Sequence, residues 1–223
     1  GYDDILAYLS SRKARNLADH PKLIPLSVLP YAGIATPETR NWTTNRGALD
    51  GSNFSALAQI TAANANTLQA RWSAALDNGA TAATPLVVDG ALYVSSAQGN
   101  VLALEAGSGL PLWRFSRRPV LENPGPVGGN RGVAVLDGRL FVGTADNKLI
   151  ALDVHSGRQL WEQQTTSTLD GYAMTGAPLA LRSRIVVGVA GSGMKARGWL
   201  DAYDPANGKQ LWRFESVATQ NQA

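Results

Sequence analysis

The sequence predicts an all-β fold built from repeated small antiparallel sheets. Within the 223 residues, a motif of the form Ala-x-acid-x-x-x-Gly-x-x-x-Trp occurs three times, beginning at Ala103, Ala151 and Ala202. The residues before each motif form β-branched or aromatic runs that are broken by turn residues, which is typical of short strands. The 23 glycines and 11 prolines agree with this prediction, because they suit a globular protein with many tight turns rather than a helical bundle.

The N-terminal 40 residues differ from the rest and predict a separate region. Apolar residues recur at helical spacing after Asp3 and Asp4 within residues 1–17, which predicts a short amphipathic helix. Residues 18–40 contain several prolines and show neither helical nor strand periodicity, which indicates a linker or a wrapping segment. We therefore expect three regions: a helix at 1–17, a linker at 18–40 and the repeated sheets at 41–223.

The spacing of the tryptophans gives the size of the repeat. Trp72, Trp113, Trp161 and Trp212 follow one another at intervals of 41, 48 and 51 residues. Repeats of this length occur both as propeller blades and as helix pairs. The runs Pro85–Val94 and Val133–Val142 favour blades, because each consists of two apolar strands separated by Asp-Gly, a preferred hairpin turn.

Each residue of the motif has a mechanical role that does not require chemistry. The small alanine allows close approach of neighbouring strands, the carboxylate accepts backbone N–H bonds in the turn, and the glycine supplies a positive φ. The tryptophan offers a flat apolar surface with one polar N–H. We therefore expect the motif to fasten one sheet to the next.

Composition excludes several classes of function for this stretch of chain. The net charge is +3 and the basic residues are scattered, so no nucleic-acid-binding stripe is indicated. There is no cysteine, which excludes disulfides, thiolate metal sites and a covalent haem attachment. No apolar run approaches the roughly 20 residues of a membrane span, and the first residues do not resemble a signal peptide. His20 and His155 are far apart in sequence, so we expect both to be solvated rather than ligands.

Several blocks outside the repeats resemble landmarks of one enzyme family. These blocks are Asn41-Trp42, Gly51–Trp72, Ala83–Gly90, Asn130–Ala134, Thr175–Pro178 and Arg197–Asp204. Together with the repeated motif they resemble the quinoprotein alcohol dehydrogenases, which use pyrroloquinoline quinone (PQQ), over residues 41–217. The resemblance implies a partial eight-bladed β-propeller. Three motifs account for three to four blades, so we expect this chain to be the N-terminal part of a longer propeller whose remaining blades lie outside it.

The same resemblance implies an activity. Members of the family oxidise alcohols with PQQ, beside a Ca²⁺ or lanthanide ion, and pass electrons to a cytochrome c in the periplasm. The family's catalytic aspartate is expected beyond residue 223, so no catalytic residue is assigned within this chain. The first nine or ten residues resemble the closing helix of a cytochrome c domain, and haem c is expected only if such a domain precedes them.

Three positions match the cofactor contacts of the family. Arg131 matches an arginine that reaches the quinone oxygens. Thr175 matches a residue whose hydroxyl holds a PQQ carboxylate, and Gly191 matches a glycine in a loop that passes close to the ring. Two positions depart from the pattern, because Ala82 and Gly193 stand where the family has acidic residues, the second of them a metal ligand. Since a hard cation prefers carboxylate oxygens, the sequence predicts PQQ binding, makes a Ca²⁺ or lanthanide ion doubtful and assigns no metal ligand.

Two alternatives to the enzyme remain open at this level. A propeller that has lost its cofactor and serves as a protein-interaction scaffold would keep the tryptophans but would not need Arg131 or Thr175. A degenerate enzyme that binds PQQ without the usual ion would keep both residues and still lack the acid at Gly193.

Overall fold

The computed structural model describes residues 26–77, 82–118, 129–167, 171–191 and 197–216, the last two residues of the fourth range through their backbone only. One short helix, α1 (Tyr31–Ala35), and one 3₁₀ turn (Ala65–Thr67) precede the strands. The strands are β1 (Leu86–Val88), β2 (Ala91–Ser95), β3 (Val101–Glu105), β4 (Pro111–Phe115), β5 (Val133–Leu136), β6 (Arg139–Gly143), β7 (Lys148–Asp153), β8 (Gln159–Gln164), β9 (Tyr172–Ala173), β10 (Leu179–Leu181), β11 (Arg184–Gly191), β12 (Trp199–Tyr203) and β13 (Gln210–Glu215). The helix predicted at residues 1–17 lies outside the described residues.

The strands form three successive antiparallel sheets, which confirms the predicted repeated all-β fold. Blade 1 has the order β1-β2-β3-β4, blade 2 the order β5-β6-β7-β8, and blade 3 the order β10-β11-β12-β13, with β9 paired to β11. The second and third strands of blades 1 and 2 are almost completely buried, as in blade 2, where Leu140, Phe141 and Ile150 are 0% exposed. In blade 3 the second and third strands are more open, and Leu200 is 41% exposed. Among the described helices, none has the length and apolarity that crossing a bilayer requires.

The Asp-Gly pairs form the predicted hairpin turns between the first two strands of blades 1 and 2. Asp89 and Gly90 have φ angles of 46° and 85°, and Asp137 and Gly138 have φ angles of 47° and 74°. Both residues of a type I′ turn need a positive φ, which aspartate tolerates and glycine adopts freely. The turn chemistry therefore fixes the register of the strands on either side.

Tryptophans join each blade to the next. The indole N–H of Trp113 donates to the backbone oxygen of Val154 in blade 2 at 2.8 Å, and its ring lies on Gly157, which has a φ of 68°. Trp161 contacts Gly208 of blade 3 in the same way, and its indole N–H donates to the Pro205 oxygen at 3.2 Å. Trp72, which lies before blade 1, contacts Gly109 of blade 1 and donates to the Ala106 oxygen at 2.9 Å. The motif thus fastens blade to blade, as the sequence predicts.

The other motif residues shape the turn and the strand that receive the tryptophan. Asp153 accepts the backbone N–H of His155 and of Ser156. The hydrogen bond from the Ser156 hydroxyl lowers the pKa of Asp153 below its usual value, and the backbone N–H bonds add to this shift, while burial opposes it. Ala151 is paired across the sheet with Phe141 and Trp161, whose rings meet with centroids 5.8 Å apart. The alanine is therefore needed because two large rings share the space above it.

The described part of the proline-containing segment packs against the hairpin ends of all three blades. The backbone oxygen of Leu29 accepts the N–H of Asp137, the Tyr31 ring lies 5.5 Å from the guanidinium of Arg182, and Asn41 exchanges two hydrogen bonds with Asp89. Ile34 of α1 is only 1% exposed. Residues 26–41 therefore wrap across the blades.

Candidate functional site

The segments that lead into the first strands of the three blades lie side by side. We call them the entry loops, at residues 82–85, 129–132 and 174–178. The backbone N–H of Thr84 donates to the oxygen of Arg131 at 3.3 Å, and the N–H of Arg131 donates to the oxygen of Thr175 at 3.0 Å. These two bonds link blade 1 to blade 2 and blade 2 to blade 3 at the end of the first strands opposite the hairpin turns.

Arg131 and Thr175, two of the residues predicted as cofactor contacts, touch each other in these loops. The Nη1 atom of Arg131 donates to the Thr175 hydroxyl oxygen at 2.6 Å. The Arg131 side chain is exposed, and within the described ranges no carboxylate lies within ion-pair distance of it. A guanidinium has five N–H donors. The contact with Thr175 orients the fork while leaving donors available to a ligand with anionic or electron-rich oxygens.

Asn130 holds the loop that carries Arg131. It is 2% exposed; its oxygen accepts the Ser95 hydroxyl at 2.5 Å and the N–H of Gly132 at 2.8 Å, and its amide donates to the oxygen of Gly143 at 2.7 Å. Sequence reasoning quoted Asn130 as part of a landmark block and assigned it no role. The available signal was an amide side chain three residues before the apolar run Val133–Leu136.

Gly132, the next residue, permits the close approach of the entry loops. Its φ is 135°, a conformation that residues with a side chain rarely adopt, and a Cβ there would lie 3.3 Å from the backbone oxygen of Thr84. The Asn-Arg-Gly sequence therefore combines an anchor, an exposed cation and a residue without a side chain.

Gly191, the third predicted contact, is the last residue of β11. Its backbone pairs with Tyr172 in β9, and Thr175 follows Tyr172 by three residues. The structure therefore connects Gly191 to Thr175 through β9. Ala82 is exposed, and Gly193 lies outside the described residues.

A cavity of about 180 Å³ lies between residues 42–51 and the first strands of blades 2 and 3. Its lining includes Ala177 and Pro178 of the third entry loop together with Ala134 and Leu49. The cavity therefore lies between the N-terminal segment and blades 2 and 3, and neither Arg131 nor Thr175 is among its lining residues.

Asp201 is the first carboxylate that follows Gly193, the position where the family has a metal ligand, and its oxygens are occupied by hydrogen bonds within blade 3. Asp201 is 0% exposed and accepts hydrogen bonds from Trp199, Tyr203, Gln210 and Arg213. Within the described ranges, no three His, Cys, Asp or Glu side chains are grouped so that they could hold an ion. The described residues therefore do not fit a Ca²⁺ or lanthanide ion.

His155 is exposed at a blade turn.

Comparison with known proteins gives matches to one family. The PQQ β-propeller domain of glucose, ethanol and alcohol dehydrogenases matches residues 42–223. The quinohemoprotein alcohol dehydrogenase ADH IIB of Pseudomonas putida is 37% identical over 79% of this chain and 26% of its own length. The 1-butanol dehydrogenase (cytochrome c) of Thauera butanivorans is 37% identical over 82% of this chain and 27% of its own length.

Solved structures agree with these matches. The quinohemoprotein alcohol dehydrogenase ADHIIG of Pseudomonas putida HK5 superposes with a TM-score of 0.79 at 33% identity, covering 86% of this chain and 30% of that one. A europium-containing methanol dehydrogenase superposes with a TM-score of 0.75 at 28% identity, covering 84% of this chain and 34% of that one. The chain spans about a quarter of the length of the curated relatives it matches. From the repeated blades, the entry loops and these matches, we conclude that the chain belongs to the PQQ β-propeller family of glucose, ethanol and alcohol dehydrogenases.

Proposed function

We propose that this chain supplies the first blades of a PQQ-dependent alcohol dehydrogenase and contributes Arg131, Thr175 and Gly191 to its cofactor site. The observation that carries the proposal is the Arg131–Thr175 contact, in which an exposed guanidinium is oriented by a hydroxyl and faces no carboxylate among the described residues. A scaffold needs the tryptophan links between blades but has no use for an oriented arginine at the entry loops that faces no carboxylate in the described part of the chain.

The residues present fit the cofactor chemically. PQQ is a planar ortho-quinone with three carboxylic acid groups, and a guanidinium donates to such oxygens in a fixed fork. Arg131 would hold the quinone oxygens and the Thr175 hydroxyl a carboxylate, while Gly191 permits close approach. When bound, the cofactor supplies a hydride acceptor for an alcohol. This chain's residues bind and orient it, and the general base is proposed to come from outside residues 1–223.

The family resemblance extends the proposal to partners and location. We propose a small alcohol as substrate, a cytochrome c as electron acceptor and the periplasm as compartment, with further propeller blades completing the disc. The relatives support this, since they include quinohemoprotein alcohol dehydrogenases and a 1-butanol dehydrogenase (cytochrome c). The division into a helix at 1–17, a linker at 18–40 and blades from 41 belongs to the same proposal.

Titration of the full-length protein with PQQ, followed by absorbance and calorimetry with and without Ca²⁺ or a lanthanide, tests this function. Loss of a hydrogen bond to a charged group costs about 1.5–3 kcal/mol, so Arg131→Ala is expected to weaken binding roughly 10- to 150-fold. Arg158→Ala is the matched control, because Arg158 is an exposed arginine at a blade turn and should leave the affinity unchanged. If PQQ does not bind under any condition, the protein is a scaffold that kept the blades and lost the cofactor.

A further inference from the structure

Asp201 is a buried carboxylate surrounded by hydrogen-bond donors. Its Oδ2 atom accepts from the Trp199 indole at 2.9 Å, the Tyr203 hydroxyl at 3.0 Å and Arg213 Nη2 at 2.7 Å. Its Oδ1 atom accepts from Arg213 Nε at 2.8 Å and from the Gln210 amide at 2.9 Å. The bond to Asp201 raises the pKa of Arg213, and burial raises the pKa of Tyr203. All of these donors converge on one side chain, which makes it the centre of the cluster.

This cluster is a feature of blade 3 alone among the three blades. Asp201 directly precedes the motif alanine, and the same place is taken by Leu102 in blade 1 and Ile150 in blade 2. Desolvating a carboxylate and a guanidinium is costly, and apolar residues of similar volume often serve a core equally well. Stability of the blade alone therefore does not account for an aspartate at this position.

The cluster extends to the aromatic side chains beside the candidate site. The Arg213 guanidinium lies 4.2 Å from the centroid of the Trp199 ring. Trp199, 6% exposed, contacts Tyr172 edge-on with ring centroids 4.5 Å apart. Asp201 and Arg213 therefore fix the Trp199 ring from both its N–H and its face, and that ring in turn supports Tyr172.

Tyr172 connects this support to two of the proposed cofactor contacts. Its backbone pairs with Gly191, its backbone oxygen accepts the Asn147 amide at 2.9 Å, and the chain continues from it to Thr175. Trp199 itself pairs with Val189, two residues before Gly191. Trp199 thus links Asp201 to the β9–β11 pair in two ways: its side chain contacts the Tyr172 ring of β9, and its backbone pairs with Val189 of β11.

We propose that Asp201 is a positioning residue for the cofactor site: by holding Trp199 and Arg213 it fixes the β9–β11 pair and so places Gly191 and Thr175. The inference rests on the proposed function for the identity of the ligand. It assigns to Asp201 a role that depends on the carboxylate, since an apolar side chain would fill the core without gathering the five donors.

The variants Asp201→Asn and Asp201→Leu test the role, with Asp146→Asn as control. Asparagine keeps the size but turns an amide N–H₂ toward donors, and leucine is the residue that blade 1 has. Asp146 is also buried and ion-paired, to Arg117 between blades 1 and 2, and it lies in the turn between β6 and β7 of blade 2 rather than in blade 3. Trp199→Phe keeps an aromatic ring against Tyr172 while removing the N–H that donates to Asp201. This variant tests the same role if both Asp201 variants fail to fold.

Two readouts are measured: the PQQ dissociation constant and the backbone hydrogen exchange of residues 171–175 and 186–191. We expect the Asp201 variants to weaken PQQ binding about 10-fold or more, and to speed exchange in both segments. Asp146→Asn should lower the melting temperature with less than about a 2-fold change in affinity. The positioning role is overturned if Asp201→Asn and Asp146→Asn lower stability equally while neither hydrogen exchange at β9–β11 nor the PQQ affinity changes.

The exchange measurement needs no cofactor, so it separates this inference from the proposed function. If the parent protein does not bind PQQ but Asp201→Asn loosens β9–β11, the ligand assignment fails and the positioning role stands. If Arg131→Ala weakens PQQ binding but neither the Asp201 variants nor Trp199→Phe alter exchange or affinity, the positioning role fails and the proposed function stands.

Discussion

Replacing Gly157 by alanine should damage the link between blades 1 and 2. Gly157 has a φ of 68°, and a Cβ built on it would lie 2.5 Å from Cε3 of Trp113. Ordinary contacts begin near 3.4 Å, so the indole would have to recede by about 0.9 Å. Since Trp113 donates to the Val154 oxygen at 2.8 Å, that displacement would lengthen the hydrogen bond beyond useful range.

The expected cost has two parts. An alanine in the left-handed region costs about 1–2 kcal/mol. A buried indole N–H deprived of its partner costs a further 1–3 kcal/mol or so. Gly157→Ala is therefore expected to lower the free energy of unfolding by about 2–5 kcal/mol, a large fraction of a typical domain's stability.

Thermal and urea unfolding, followed by circular dichroism and tryptophan fluorescence, measure this loss. Gly188→Ala is the matched control, because its Cβ would meet only Leu200 at an ordinary 3.5 Å and its φ is not positive; we expect a change within about 0.5 kcal/mol there. If Gly157→Ala and Gly188→Ala unfold alike, the tryptophan–glycine contact is not what joins the blades.

Two further changes probe other contacts between blades. Trp161→Phe keeps a ring over Gly208 but loses the N–H bond to the Pro205 oxygen, so we expect a loss of about 1 kcal/mol in the same unfolding assay; a larger loss would mean that ring area dominates. Burial alone would raise the pKa of Asp146, but hydrogen bonds from Arg117 and Thr144 outweigh it and lower the pKa. The Asp146 carboxylate therefore stabilises the folded state above its ordinary pKa of 3.8, and this contribution is lost as pH falls below that value. Asp146→Asn should reduce stability at pH 7 and flatten its decline between about pH 5 and pH 2; an unchanged acid profile would show that the ion pair contributes nothing.

Much of the fold follows from short-range sequence signals. The Asp-Gly pairs predict hairpins because both turn residues need a positive φ, and the spacing from acid to glycine to tryptophan predicts contacts that are made with the next repeat. The contact between Arg131 and Thr175 could be predicted only in part. The resemblance supplied the two positions, while their distance depends on how two entry loops pack side by side.

Other features depend on contacts for which the local sequence carries no pattern. Residues 18–40 were expected to be a linker or a wrapping segment. The packing of residues 26–41 is set by single residues such as Ile34 and Asn41, which do not recur periodically. Asp201 lies within the landmark block Arg197–Asp204, and the resemblance assigns it no role of its own. Aligning the three repeats places it with Leu102 and Ile150, and this misfit was the available signal for a buried polar cluster.

Each link between blades is made from two successive repeats: one provides the tryptophan, and the following one provides the glycine and the accepting carbonyl group. Copying a single repeat within a gene therefore adds one ring and one receiving surface together. Every existing junction stays complete after such a duplication, because the new unit presents the same halves to its neighbours on both sides. Propellers with different blade numbers can thus arise by tandem duplication without inventing a new interface.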